Sequence, residues 1–318
     1  MIGIILGAVF LWLTLRQVDL ASCWLYIRQA DRRFIALALL AYILAFVVRS
    51  VRWKQLLAPL ATLKAARLFF FVTMGFFMNN VLPLRLGEVI RANITGQKFN
   101  ISRSGAFATV VVERLFDGFS YACIFFITIG LLPFPSWAKK SMIAGSSLFV
   151  GALVFLFFFV RHKEKALALF SRMPLPQKFA GRIRDIFTNF VSGLTIFAHG
   201  RGLIKVILLS LLVWSFEGSV FYIVGKAFNL GLTLPQAFLV MLVIGTGVVL
   251  PTAPGYVGTV EFLGVTSLSF IGIDKNLAFG YIITLHFLQL ATVSSLGIIG
   301  MIREKITLNE LIRLEKRG

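Results

Sequence analysis

The chain has 318 residues, of which 58% are hydrophobic and 14% charged, and its formal net charge is +19. That much apolar surface exceeds what one water-soluble core can bury, so the composition excludes a soluble globular domain and indicates a polytopic membrane protein. The basic residues flank apolar runs and do not interleave with aromatic ones. They read as a positive-inside signature beside anionic lipid, and not as a nucleic-acid surface.

Met1–Leu15 is apolar from its first residue, without a basic start or a small-residue cleavage site, and reads as a retained first span. Arg16–Arg33 reads as a polar connection. Phe34–Val48 is a second span, and the Arg49, Arg52, Trp53 and Lys54 that close it suit a membrane–water interface. The apolar run Leu68–Met78 is too short to cross alone, since a span takes about 20 residues. It meets Asn79, Asn80, Pro83, Arg85, Gly87 and Glu88, then Arg91. Pro83 cannot donate a backbone hydrogen bond and disfavours helix at Leu82, while Gly87 permits a turn. A helix broken at membrane depth needs protein or trapped water around its freed backbone groups, so this stretch reads as the lining of an internal cavity. A cytoplasmic loop with surface charges is the other reading.

Arg91–Ser104 reads as a polar connection, Gly105–Leu132 as a long helix and Ser141–Val160 as a span. Residues 161–202 form a basic cytoplasmic segment. Within it Phe179, Ile183, Ile186, Phe190, Leu194 and Phe197 recur at helical steps, which predicts an amphipathic helix lying along the interface or packed on the core. Leu203–Val224 is a span that carries Glu217. Pro235–Leu250 is apolar and leads into Pro251, Pro254, Gly255, Gly258 and Glu261, with a short apolar run to Ile273. Leu277–Ile302 is the last span, containing His286 and Gln289, and 303–318 is a charged cytoplasmic tail.

Lys and Arg on the connections divide 23 to 8 if residues 68–90 and 236–270 are hairpins that return to the side they entered from. Six full crossings then remain, with both termini inside. The halves 1–135 and 136–302 become an inverted repeat within a single membrane domain, 1–318, an arrangement many transporters share. Val81-Leu82-Pro83 with Gly87-Glu88 is echoed by Val249-Leu250-Pro251 with Gly258 and Glu261. Eight plain transmembrane helices is the alternative. Either way the fold class is all-α.

Glu113, Arg114 and Asp117 lie within one third of a helix circumference, a face that lipid would not solvate. They read as an ion-pair cluster, or as a site for a head group or a proton. Arg85 and Arg91 suit phosphate, because a guanidinium presents paired donors to paired oxygens. Glu88 can hold Arg85 or exchange protons. Glu217 and Glu261 are candidates for ion coupling or for structural hydrogen bonds, and His286 with Gln289 reads as a buried polar contact. Pro251, Pro254, Gly255 and Gly258 shape backbone that could donate N–H groups to an anion. The two cysteines, Cys23 and Cys123, and the lone His286 give no metal spacing, and no nucleotide loop, hydrolase elbow or zinc-protease motif occurs. Neither an enzyme nor a cofactor or metal is expected.

The ordered set Arg52-Trp53, Asn80, Leu82-Pro83, Arg85, Gly87-Glu88, Arg91, Glu113-Arg114, Asp117, Pro251, Pro254-Gly255, Gly258 and Glu261 resembles the lysylphosphatidylglycerol synthase transmembrane-domain family, also called flippase-like or UPF0104 proteins. The resemblance covers roughly residues 35 to 302. Tyr256 stands where the family often has a further glycine. It implies a prokaryotic cytoplasmic (inner) membrane protein. In the multiple-peptide-resistance members the domain is linked to moving aminoacylated phosphatidylglycerol and precedes a soluble transferase domain. This chain reads as a stand-alone member without that domain. The resulting expectation is translocation of an anionic or phosphate-bearing lipid, with Arg85, Arg91, Arg114 and Asn80 at the head group. A non-transporting subunit of a lipid- or glycan-modifying system, or a membrane-embedded enzyme acting on a lipid phosphate, are the alternatives.

Overall fold

The computed structural model describes residues 2–82, 86–132, 136–162, 164, 177–194, 200–249, 253–308 and 310–311. Pro83, Arg85 and Pro251 lie outside them. Every regular element among the described residues is helical. Helix α1 (Ile2–Leu15) and helix α2 (Leu20–Gln29) meet at 86°. The break falls at Asp19, whose carboxylate accepts the Ala21 and Ser22 amides and so starts α2. The segment expected as a polar connection is therefore largely helix, because Asp19 and Asp31 supply caps that hydropathy does not register.

Asp31 caps α3 (Arg32–Leu57), which at 26 residues is about 39 Å long and exceeds the hydrocarbon core. Its last turns are not interfacial, as the sequence led us to expect. Arg49 is 3% exposed, and Arg52 and Trp53 are fully buried. They are drawn inward by carboxylates on other helices.

Helix α4 (Ala65–Val81) ends with Leu82 in extended backbone, as a residue preceding proline should. Helix α5 (Gly87–Lys98) then packs back along α4. The two backbones approach so closely at Gly75 and Gly87 that a Cβ on Gly87 would collide with the Gly75 carbonyl. Most of the connection expected from Arg91 onward is thus a helix, with residues 90–96 buried. The low hydropathy that hid this helix reflects Arg91, Asn93 and Thr95, which face protein and not lipid.

Helix α6 (Arg103–Leu131) starts at a Ser102 cap and α7 (Ser136–Arg161) follows it. The amphipathic segment forms α8 (Gln177–Gly193). Its C-terminal end sits on α6, with Val191 and Leu194 buried, while Ile186 stays exposed. Helix α9 (Gly200–Ala227) precedes α10 (Leu234–Gly247), whose start is closed by a Thr233/Gln236 capping box. A 3-10 turn, Pro254–Tyr256, leads to α11 (Thr259–Phe270), and α12 (Lys275–Glu304) ends the core. Gly255, Tyr256 and Gly258 all have positive φ, at 65°, 61° and 85°. Among the described residues α3, α9 and α12 are long and apolar enough to cross a membrane, α1 and α2 qualify only as one bent pair, and α4 and α10 are shorter apolar helices. The protein is an all-α membrane protein.

The packing has an internal regularity. Helix α3 packs on α4, α4 on α5 and α5 on α6; likewise α9 packs on α10, α10 on α11 and α11 on α12. Across the units α4 packs on α12 and α10 on α6, while α3 and α9 share the largest interface of all. Exchanging α3–α6 for α9–α12 leaves this pattern of neighbours unchanged. Helix α2 joins the exchange, since it packs on α12 as α8 packs on α6, whereas α1 and α7 pack differently. Helix α1 instead docks on α11, with Phe10 stacked on Phe262 at 4.8 Å and the Gly7 carbonyl against Gly258.

Candidate functional site

The polar residues of the core collect where α3, α5, α6 and α9 converge. Arg49 and Arg52 are three residues apart and share one face of α3. Arg52 Nη1 donates to Asp117 at 2.7 Å and to Ser210 at 3.0 Å, and its Nη2 lies 3.2 Å from Glu113. Arg91 donates to both Glu113 oxygens, at 3.4 and 3.1 Å, with its guanidinium 4.3 Å over the Trp53 ring. Arg114 lies 2.7 Å from Glu113, 3.2 Å from Asp117 and 3.6 Å from Glu88. Trp214 Nε1 adds a donor to Asp117 at 2.9 Å, and Trp53 Nε1 donates to Thr109 at 3.0 Å. On the neighbouring face Arg49 Nη2 meets Glu217 at 2.7 Å. Four arginines and four carboxylates balance, which is how so many buried charges are tolerated at membrane depth.

Beside this cluster lies a cavity of about 170 Å³, between the broken helices of both units. Its polar lining includes Arg49, Asn79, Asn80, Glu217, Tyr256 and His286. The first hairpin reaches it with the end of α4. The second reaches it with the Pro254–Tyr256 turn, where Gly255 faces the Asn80 carbonyl. The Arg49 guanidinium is stacked among Phe76, Trp214 and Phe46, at 5.0, 5.3 and 5.8 Å. Its Nε and Nη1, and the Asn79 Oδ1, have no hydrogen-bond partner among the described residues although all are buried. Orphaned buried polar atoms carry a desolvation penalty that a bound polar group would relieve.

Of the residues the sequence singled out, Asn80 and Glu217 line the cavity, and Arg91, Arg114, Glu88, Glu113 and Asp117 belong to the cluster behind it. Glu261 Oε2 accepts the Gly258 amide at 2.6 Å, and Oε1 faces His286 Nδ1 at 2.6 Å. Gly87, Gly255 and Gly258 are buried in the turns, while Pro254 is exposed. Sequence reasoning placed Arg49 and Arg52 at the membrane–water interface and passed over Trp214 and the Glu261–His286 contact. The available signal was spacing: Arg49/Arg52 and Trp214/Glu217 are each i,i+3 pairs and place two polar groups on one face of an apolar helix. Among the described residues no three His, Cys, Asp or Glu side chains cluster as metal ligands would.

The fold and site define a helical membrane protein built on two units with broken helices around a buried polar chamber. Residues 1–297 match the lysylphosphatidylglycerol synthase TM region, and the chain belongs to that family. It is 24% identical over 273 residues to a UPF0104 membrane protein of Methanothermobacter thermautotrophicus, covering 79% of this chain and 80% of that one. A UPF0104 membrane protein of Methanocaldococcus jannaschii is 21% identical over 315 residues, covering 94% and 93%. The glycosyltransferase AglD of Haloferax volcanii is 29% identical over 119 residues, which are 36% of this chain and 19% of that protein.

Proposed function

We propose that the chain moves a lipid with an anionic or phosphate-bearing head group between the leaflets of a prokaryotic cytoplasmic membrane, both termini facing the cytoplasm, with no bond-breaking chemistry of its own. The observation that carries this reading is Arg49. Its Nε and Nη1 are buried at the cavity and unpartnered among the described residues, so a phosphate oxygen would satisfy donors that protein leaves unsatisfied. Asn80 shares the cavity. Arg91 and Arg114, held by carboxylates, belong to the charge-balanced cluster behind it. The acyl tails stay in the bilayer, and the two broken-helix units supply an alternating pair of gates.

The test is leaflet exchange of a fluorescent phosphatidylglycerol in proteoliposomes. Arg49→Ala combined with Glu217→Ala keeps the core neutral. We expect the wild type to accelerate exchange and the double variant to fall to the empty-liposome rate while remaining folded. Equal exchange by both proteins would sink the proposal.

A second reading, a membrane subunit of a glycan- or lipid-modifying system, is favoured by the 119-residue similarity to the glycosyltransferase AglD. Absence of exchange in every liposome, together with co-purification of a glycan- or lipid-modifying enzyme, would select it.

A further inference from the structure

His286 is held at both ring nitrogens. Nε2 lies 2.8 Å from the Gly255 carbonyl, and Nδ1 lies 2.6 Å from Glu261 Oε1. A carbonyl oxygen only accepts, so Nε2 carries a hydrogen. The contact between Nδ1 and the carboxylate then needs one more hydrogen, either on Nδ1 or on Oε1. A neutral Nε2-protonated imidazole beside an ionised carboxylate would set two lone pairs against each other at that separation. The geometry therefore fixes the proton count of the pair, whichever atom holds the shared hydrogen.

The pair also fastens a strained turn. Glu261 accepts the Gly258 amide, and His286 donates to the Gly255 carbonyl, so both ends of the positive-φ segment are tied to these two side chains. His286 and Glu261 are buried, at 7% and 1% exposure, and His286 and Tyr256 line the cavity. The other titratable or charged groups on that lining are Tyr42 and Arg49 of α3, Tyr121 of α6, Glu217 of α9 and Tyr256 of the turn; α4 and α10 contribute none among the described residues. Arg49 and Glu217 neutralise each other.

The first unit offers a comparison. Glu88 in the first turn of α5 pairs with Arg114 on α6, and Glu261 in the first turn of α11 pairs with His286 on α12. The helices are counterparts in the exchange, but the first unit answers its carboxylate with an arginine and the second with a histidine.

We infer that Glu261 and His286 form a proton-binding site that holds one exchangeable proton between Oε1 and Nδ1, and that its release frees the 253–258 turn from α12. Deprotonation takes the pair from net neutral to one negative charge, the proton passing to water that enters the cavity. Repulsion between Oε1 and Nδ1 then parts the two side chains. The site stands independently of lipid transport, because its readouts involve no lipid movement.

The test places a nitroxide on Val257→Cys, an exposed turn position, in protein whose Cys23 and Cys123 are alanine. Spin-label mobility is recorded across pH in detergent micelles. In the otherwise native chain we expect an immobile label at acid pH and a mobile one at alkaline pH, with a one-proton transition. Glu261→Gln keeps both hydrogen bonds with a neutral ring, its amide oxygen accepting from Gly258 and its NH2 donating to Nδ1, so its label should stay immobile at alkaline pH. His286→Phe should leave it mobile throughout. Nitrogen NMR of labelled histidine, with His286 assigned by its loss in His286→Gln, should show Nδ1 titrating at the pH of the mobility change. A label indifferent to pH in the native chain, a label that still turns mobile at alkaline pH in Glu261→Gln, or a His286 ring that never changes protonation would each overturn the inference. The Gln variant and the NMR titration decide even where the Phe variant fails to fold.

Discussion

Arg49 and Glu217 meet at 2.7 Å from α3 and α9, the two helices that trade places when the units are exchanged. The pair therefore sits on the seam between the halves, where truncating one partner strands the other in a buried site. Glu217→Ala should destabilise the protein by roughly 3 to 5 kcal/mol. Adding Arg49→Ala should recover a large part of that loss. A thermal or denaturant double-mutant cycle in detergent measures the coupling, and additive losses would show that the pair contributes nothing jointly.

Trp214 ties the chamber to the charge cluster by donating to Asp117 at 2.9 Å. Trp214→Phe retains an aromatic face for Arg49 and removes that donor. A hydrogen bond to a charged acceptor contributes about 1.5 to 3 kcal/mol, and the variant should lose stability in that range. An unchanged melting temperature would mean that Asp117 is satisfied by Arg52 and Arg114 alone.

Backbone contact at both turns should make two glycines irreplaceable. A Cβ on Gly87 collides with the Gly75 carbonyl, and a Cβ on Gly258 collides with the Gly7 carbonyl at a φ of 85°. Gly87→Ala and Gly258→Ala should each lower folded yield and melting temperature. Gly130→Ala is the control, because nothing lies within 4 Å of its added methyl. In a helix that change should be neutral or stabilising by about 0.5 to 1 kcal/mol.

Asn79 lines the cavity with its Oδ1 buried and unpartnered among the described residues. Asn79→Asp places a carboxylate beside the proposed head-group position with almost no change of shape. Exchange of phosphatidylglycerol should fall at least about ten-fold, equivalent to roughly 1.4 kcal/mol of lost transition-state binding. A zwitterionic lipid should be affected less. Equal losses for both lipids would point to damaged structure and not to charge.

Much of the scaffold was legible because crossing helices advertise themselves by apolar length. The runs 34–48, 203–224 and 277–302 lie inside α3, α9 and α12, and Leu82 stops α4 for the steric reason that Pro83 dictates. Helix α5 was hidden because its polar residues are answered by protein, which hydropathy cannot separate from answering by water, and α2 because it starts on an Asp19 cap that hydropathy does not register. Arg49 and Arg52 were misplaced for a related reason. Basic residues next to a tryptophan after an apolar run look like snorkelling side chains. What buries them is a set of carboxylates 61 to 168 positions away, and no local pattern contains that. His286 finds its carboxylate across a helix boundary, which its own sequence neighbourhood does not reveal.

The Gly7–Gly258 contact makes the two halves mechanically unequal. Helix α1 braces the start of α11, and nothing comparable is seen behind α5 among the described residues. A machine with matched halves would share motion evenly between them. Here the N-terminal helix acts as a buttress on α11, and shortening the N-terminus would remove that support without touching a single cavity residue.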